Sequence, residues 1–163
     1  MGISTEQHDM VLTRVFDTSV DRVWNAWTAS DQVKRWWGPQ GFTCPVANMD
    51  FRVGGTSLVC MRAPREFGGQ DQYNTWTYQK IVPMQRIEFI QHFADNEGNR
   101  ISPAVLGLPP DIPFEVPHVI AFRALGELQT ELTVTEYGYP SAQIVEISRA
   151  GMNQCLDKMA AIF

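Results

Sequence analysis

The groups in this sequence able to exchange a proton near neutral pH are three histidines, His8, His92 and His118. None has a second histidine four residues away, the spacing that sets two imidazoles on one helix face, so no metal site is expected. His92 and His118 flank a long irregular stretch, Ala94 to Pro117, an arrangement that lets them approach one another at a cavity mouth and serve in acid/base work. The plainer reading leaves each at a strand end facing solvent. Asp50, Glu88 and Glu115, with Arg52 and Arg123, can orient a polar ligand head group. Glu88 alternates opposite Phe89 and should point outward, and Asp50 and Arg52 can instead pair with neighbours to hold the hairpin whose glycine turn they precede. No Ser/His/Asp or Cys/His arrangement is indicated, so no catalytic residue is assigned. Gly54-Gly55 and Gly68-Gly69 lack the G-x-G-x-x-G spacing, and no cofactor is expected.

The three cysteines, Cys44, Cys60 and Cys155, are an odd number without a C-x-x-C pair. Cys44 and Cys60 can fall on neighbouring strands of one hairpin, but buried free thiols are the expectation. With 163 residues, 44% hydrophobic and 19% charged, the chain suits one globular domain with its own core, residues 1–163. A formal net charge of −5 offers no basic footprint for nucleic acid. The first ten residues are polar and carry Glu6 and Asp9, unlike a secretory signal. No apolar run approaches the ~20 residues of a membrane span. Cytoplasmic residence is therefore expected.

These groups must be carried by regular elements. Met10 to Asp17 alternates as a strand, and Ser19 caps a helix in which Val20, Val23, Trp24 and Trp27 share a face. Ser30 is placed as the cap of a second short helix, bearing Val33, Trp36 and Trp37 and ended by Gly38 and Pro39. Phe42 to Phe51 and Thr56 to Arg62 form a hairpin around Gly54-Gly55, and Ala63 to Asp71 is a loop. Tyr73 to Val82 and Arg86 to Phe93 form a second hairpin, closed by Pro83. Ala94 to Pro117, with five prolines, is too long for an ordinary connection and suits a lid, a surface loop or a dimer contact. His118 to Ala124 and Leu128 to Glu136 make a third hairpin, with Leu132 and Val134 on its buried face. After Pro140 and Ser141, the residues Ile144, Ile147, Ser148, Gly151, Met152, Cys155, Leu156 and Met159 recur at helical spacing.

Strand, two short helices, six strands in hairpins and a long helix cannot form a parallel sheet, since helical crossovers are missing. The fold class is α+β: a curved antiparallel sheet around a long C-terminal helix, with two short helices after the first strand. A cavity is left where helix and sheet do not touch. Alternation turns Trp76, Tyr78, Phe89, Gln91, Phe93, Leu132 and Val134 inward, facing Met152, Leu156 and Met159 on the helix. Such a lining suits a small apolar ligand, and the same residues also make an ordinary packed core. Trp36 to Pro39 is placed at one cavity end and the proline-rich loop at the other.

Several runs then fall in a recognisable order: Arg14-Val15-Phe16-Asp17, Val23-Trp24-Asn25-Ala26-Trp27, Trp36-Trp37-Gly38-Pro39 and Asp50-Phe51-Arg52-Val53-Gly54-Gly55. Ile81-Val82-Pro83 with Arg86-Ile87, Thr130-Glu131-Leu132-Thr133-Val134, and Gly151-Met152 with Leu156 follow. Over nearly its whole length the chain resembles the heat-shock-protein-90 ATPase activator-like family of the START-like (SRPBCC) superfamily. The resemblance implies a single START-like domain of helix-grip fold with a hydrophobic cavity. That family usually has Trp after the helix glycine, where this chain has Met152, so the cavity is expected to differ in shape. Superfamily members bind lipids, polyketides, hormones and other apolar molecules, and some are enzymes, so the fold leaves the activity open. The additional N-terminal region of the eukaryotic co-chaperone is not expected here. The function expected is binding or carriage of a small apolar or aromatic molecule. Trp36, Trp76, Tyr78, Phe89, Gln91, Phe93, His118, Phe122, Met152 and Leu156 are the candidate ligand-binding set. The alternatives are an enzyme in the same cavity, using His92, His118, Tyr78 or Gln91, and a chaperone-interaction module. A homodimer is an allowed assembly.

Overall fold

A computed structural model describes residues 8–163. Seven strands form one antiparallel sheet: β1 (His8–Phe16), β2 (Thr43–Asn48), β3 (Thr56–Arg62), β4 (Asp71–Val82), β5 (Arg86–Ala94), β6 (Glu115–Ala124) and β7 (Thr130–Tyr139). Their order is β1-β7-β6-β5-β4-β3-β2, so each hairpin pairs with the next and β1 closes against the last strand. Two short helices, α1 (Val20–Thr28) and α2 (Ser30–Trp36), follow β1, and the long α3 (Ala142–Ala160) ends the chain. The reading of the first seven residues as a polar lead lies outside the described residues.

Local chemistry accounts for most boundaries. Ser141 caps α3, its Oγ accepting from the Ile144 amide at 3.2 Å. Ser19 stands at the N-cap of α1, but its side chain does not bond the helix amides. Ala29, not Ser30, occupies the N-cap of α2; Ser30 opens the helix and its Oγ accepts from the Met49 amide at 3.3 Å. Pro117 belongs to β6 rather than to the preceding loop. It pairs with Ile90 on one side, and pairing with β7 begins only at His118, so proline's missing N–H removes no ladder bond there.

The core is a set of rungs running across the inner face. Tyr78, Phe89, His118, Glu136 and Met10 are successive cross-strand partners from β4 to β1. Trp27 and Trp36 from α1 and α2 fill the space above the sheet, with ring centroids 4.6 Å apart, and Trp27 reaches Trp76 at 6.0 Å. The other end of α3 is tied to β1: Arg14 donates to Asn153 Oδ1 at 3.1 Å and pairs with Asp157 at 2.9 Å. All three cysteines are buried free thiols. No helix among the described residues is long and apolar enough to cross a membrane.

Candidate functional site

Beyond the Trp76 rung the helix and sheet part, leaving a pocket of about 430 Å³. One wall is α3, which presents Ile144, Ile147, Ser148, Gly151, Met152 and Cys155 at the spacing of a single helical stripe. The sheet supplies Gln72 and Asn74 from β4, Gln91 and Phe93 from β5, Val116 from β6, and Glu136 and Tyr139 from β7. Trp37 and Pro39 close one side, and Leu108, Pro109 and Ile112 of the long loop close another.

The end formed by Trp37 and Pro39 is held by backbone chemistry. Gly38 has φ 102°, and a Cβ there would stand 2.9 Å from Phe42 Cβ, so the turn requires glycine. Lys158 on α3 donates to the carbonyls of Gly38 at 2.9 Å and Phe42 at 3.0 Å, and the Gln40 amide donates to Gln154 Oε1 at 3.0 Å. The loop on the other side is built from short-range bonds. Asp95 Oδ1 accepts from the amides of Glu97 and Asn99, both at 2.9 Å, and the Leu108 amide donates to the Pro103 carbonyl at 3.2 Å.

A buried polar cluster forms the pocket's β7 side. Glu136 Oε2 lies 3.1 Å from His118 Nε2, with both side chains almost wholly buried. Glu136 Oε1 accepts from the Tyr139 hydroxyl at 2.6 Å and from the Ser148 hydroxyl. His118 Nδ1 lies 2.9 Å from the Val116 carbonyl, and the ring stacks on Phe89 at 4.8 Å. Both imidazole nitrogens thus face acceptors, which requires one proton between Nε2 and Oε2 in addition to the one on Nδ1. Burial by itself would raise the Glu136 pKa. The His118 charge and the hydrogen bonds from His118, Ser148 and Tyr139 outweigh it and hold the carboxyl below the usual range. Burial pushes the Tyr139 phenol up, and pushes the Cys155 thiol up to about 11, so both stay protonated near neutral pH.

Tyr139 reaches this cluster through a bulge. Strict alternation from Glu136 would send it outward, but β7 places two residues, Tyr137 and Gly138, between Glu136 and Tyr139 where β1 places only Asp9 between His8 and Met10. Gly138 takes φ 86°, and its amide bonds Asp9 Oδ1 at 3.0 Å. The extra residue returns Tyr139 to the inner face.

Of the ten residues expected from sequence to contact a ligand, Gln91, Phe93 and Met152 line the pocket. Trp36, Trp76, Tyr78, Phe89, Phe122 and Leu156 are buried in the core and do not line it. His118 sits behind Glu136. The Trp36 indole donates to the Ala26 carbonyl at 2.7 Å, whereas Trp37, the extended residue after α2, reaches the pocket instead. Tyr78 is tied through its hydroxyl to Ser57 at 2.8 Å, and Phe122 packs on Trp24 at 5.0 Å. His92 and His118 do not meet. The inward residues of β5 are Phe89, Gln91 and Phe93, so His92 lies on the opposite face, 3.0 Å from Glu115 and under Phe114. Asp50 pairs with Arg52 at 2.9 Å and Arg123 with Glu131 at 3.0 Å, all away from the pocket.

Sequence reasoning missed Gln72, Asn74, Glu136 and Tyr139 as site residues, and set Trp37 at the cavity end without naming it as a ligand contact. The alternation that turns Leu132 and Val134 inward also selects Glu136, and that of Trp76 and Tyr78 selects Asn74 and Gln72, so the signal was present for these. Two wall residues carry buried polar atoms without a partner among the described residues, Trp37 Nε1 and Asn74 Oδ1. Among the described residues no group of three or more His, Cys, Asp or Glu gathers where it could hold a metal ion.

Solved structures share this architecture. A Chromobacterium violaceum protein is 27% identical, with TM-score 0.75 over 94% of this chain and 95% of its own. An Arthrobacter aurescens protein superposes with TM-score 0.76 at 23% identity, over 94% of this chain and 84% of its own. A Silicibacter pomeroyi protein, which carries the activator family's name, does so with TM-score 0.71 at 20% identity, over 94% and 96%. No curated protein matches the chain. The family described as "Activator of Hsp90 ATPase homolog 1-like protein" matches residues 17–163. With that match and a curved seven-stranded antiparallel sheet wrapped on a C-terminal helix, the chain belongs to this activator-like family and has its START-like fold.

Proposed function

We propose that the protein binds and carries a small, largely apolar molecule in the pocket between α3 and the sheet. The observation that carries this reading is the pocket itself: about 430 Å³, walled mainly by apolar side chains, with a few polar groups gathered on the strands. That combination of size, apolar wall and sparse polar anchors is the usual form of a small-molecule site. Gln91, Phe93 and Met152 are the contacts retained from the sequence, joined by Trp37, Asn74 and Ile144. Cytoplasmic residence and a homodimer remain extensions of this reading, the second testable by light scattering on the purified protein.

The test is native mass spectrometry of the protein purified from its own host, followed by denaturation to release what is bound. A defined apolar molecule at stoichiometric occupancy supports carriage. A protein that is empty, and neither binds nor is stabilised by any member of an apolar panel, overturns it and favours the chaperone-interaction reading suggested by the family's name.

An enzyme in the same pocket is favoured by one observation, the Glu136 carboxylate with Tyr139 and Ser148 on the wall. The contact order is Ser148, Glu136, His118, so the carboxylate and not the imidazole meets the hydroxyl. This differs from the hydroxyl–imidazole–carboxylate order of a nucleophilic triad and suits proton exchange at Glu136 instead. Turnover of the molecule identified above would be the discriminating result.

A further inference from the structure

The pocket wall contains three side-chain amides, Gln72 and Asn74 on β4 and Gln91 on β5. Asn74 pairs with Phe93 and Trp76 with Gln91, so Asn74 and Gln91 are diagonal neighbours on the inner face. Asn74 is 1% exposed and its Oδ1 has no partner among the described residues. A buried amide left unpaired is costly, and a ligand able to bond it recovers that loss.

Among the described residues no lysine, arginine or histidine lines the pocket, and the one carboxylate there is Glu136. Its oxygens are already engaged by His118, Tyr139 and Ser148, and its charge is matched by the imidazole behind it. The thiol and phenol on the wall stay neutral near pH 7. A carboxylate ligand would find no cation, and an ammonium ligand would have to displace His118 from Glu136.

Resting on the carrier reading, we propose that the ligand is an uncharged molecule: an apolar body bearing a hydrogen-bonding head, such as an amide, lactam or phenol-carbonyl pair, that seats on Asn74 and Gln91. Fatty acids and other organic anions are thereby disfavoured. The wall selects against charge rather than merely accepting grease.

Three probes of one skeleton test this: naphthalene, 2-naphthamide and 2-naphthoate, titrated at pH 8 by calorimetry and by quenching of tryptophan fluorescence. The amide should bind about 5-fold to 10-fold tighter than the hydrocarbon, and the acid at least ~10-fold weaker than the amide. In Gln91→Met, checked for folding by its thermal melt, the amide's advantage over naphthalene should shrink to within about 2-fold. Naphthoate binding as tightly as naphthamide overturns the head-group inference while leaving the carrier reading standing. Equal affinity for naphthalene and naphthamide does the same. Binding of none of the three, by a protein that is also empty when purified from its host, overturns both.

Discussion

His118 and Glu136 face each other as cross-strand partners on β6 and β7, and their side chains meet at 3.1 Å in the interior. The pair is sealed on one side by Phe89, stacked on the imidazole, and on the other by the hydroxyls of Tyr139 and Ser148. Removing one partner leaves the other buried without its match. His118→Leu and Glu136→Leu should each cost roughly 3–5 kcal/mol, and the double variant clearly less than their sum. Denaturant unfolding of the four proteins measures this; additive costs would show that the two groups do not act as a pair.

Two acid steps in stability follow from two buried groups of opposite kind. Burial lowers the His92 pKa from 6.5, outweighing the support of Glu115, so the unfolded chain takes this proton first. Stability should therefore fall as pH drops below about 6.5. Glu136 is held below the usual glutamate range in the fold, so its contribution is present above the unfolded value, about 4.3, and is lost as pH falls through the lower folded one. Unfolding free energy measured from pH 8 to pH 3 should show both slopes. His92→Gln should remove the upper one and Glu136→Gln should reduce the lower, to which the lowered carboxyls of Asp71 and Asp95 also contribute; if each variant keeps its slope unchanged, the assignment is wrong.

The bulge at Gly138 is predicted to decide whether Tyr139 reaches Glu136. At φ 86° an added Cβ is strained, so Gly138→Ala should destabilise by about 1–2 kcal/mol. Its effect should overlap that of Tyr139→Phe, because both weaken the same hydrogen bond to Glu136. A double variant with fully additive losses would separate the bulge from the cluster.

Gly151 sits within α3 on the pocket wall, and a Cβ built there meets nothing within 4 Å. Gly151→Ala should raise stability by about 0.5–1 kcal/mol through helix propensity while weakening naphthalene binding. Opposite signs from thermal denaturation and calorimetry are the expected result. Binding that is unchanged or tighter would place the ligand elsewhere.

Met152, the residue after Gly151, lies on the same wall. Met152→Trp should occupy open space, changing stability by less than about 1.5 kcal/mol. Naphthalene affinity should fall at least ~10-fold in calorimetry. An unaffected affinity would remove this wall from the site.

What the residues determined by themselves was the order and kind of the elements. Alternation along β4, β5 and β7 and the three-and-four spacing along α3 are periodicities of two and 3.6, readable because neighbours on one face recur locally. The same parity marks Trp76, Tyr78 and Phe89 as inward, and they are; parity does not distinguish an inward residue in the core from one on a cavity wall. That depends on what lies opposite. Trp27 and Trp36, arriving from helices far along the chain, fill the space over Trp76, while α3 stands off from Gln91 and Phe93 and leaves the pocket. Tyr139 was hidden for a different reason, since a bulge breaks the period on which the reading rests. The separation of His92 from His118 follows from register, which sets the two on opposite faces although both border the same loop. Fold class is thus a property of local pattern, while the site is decided by which distant side chains fill space and which leave it open.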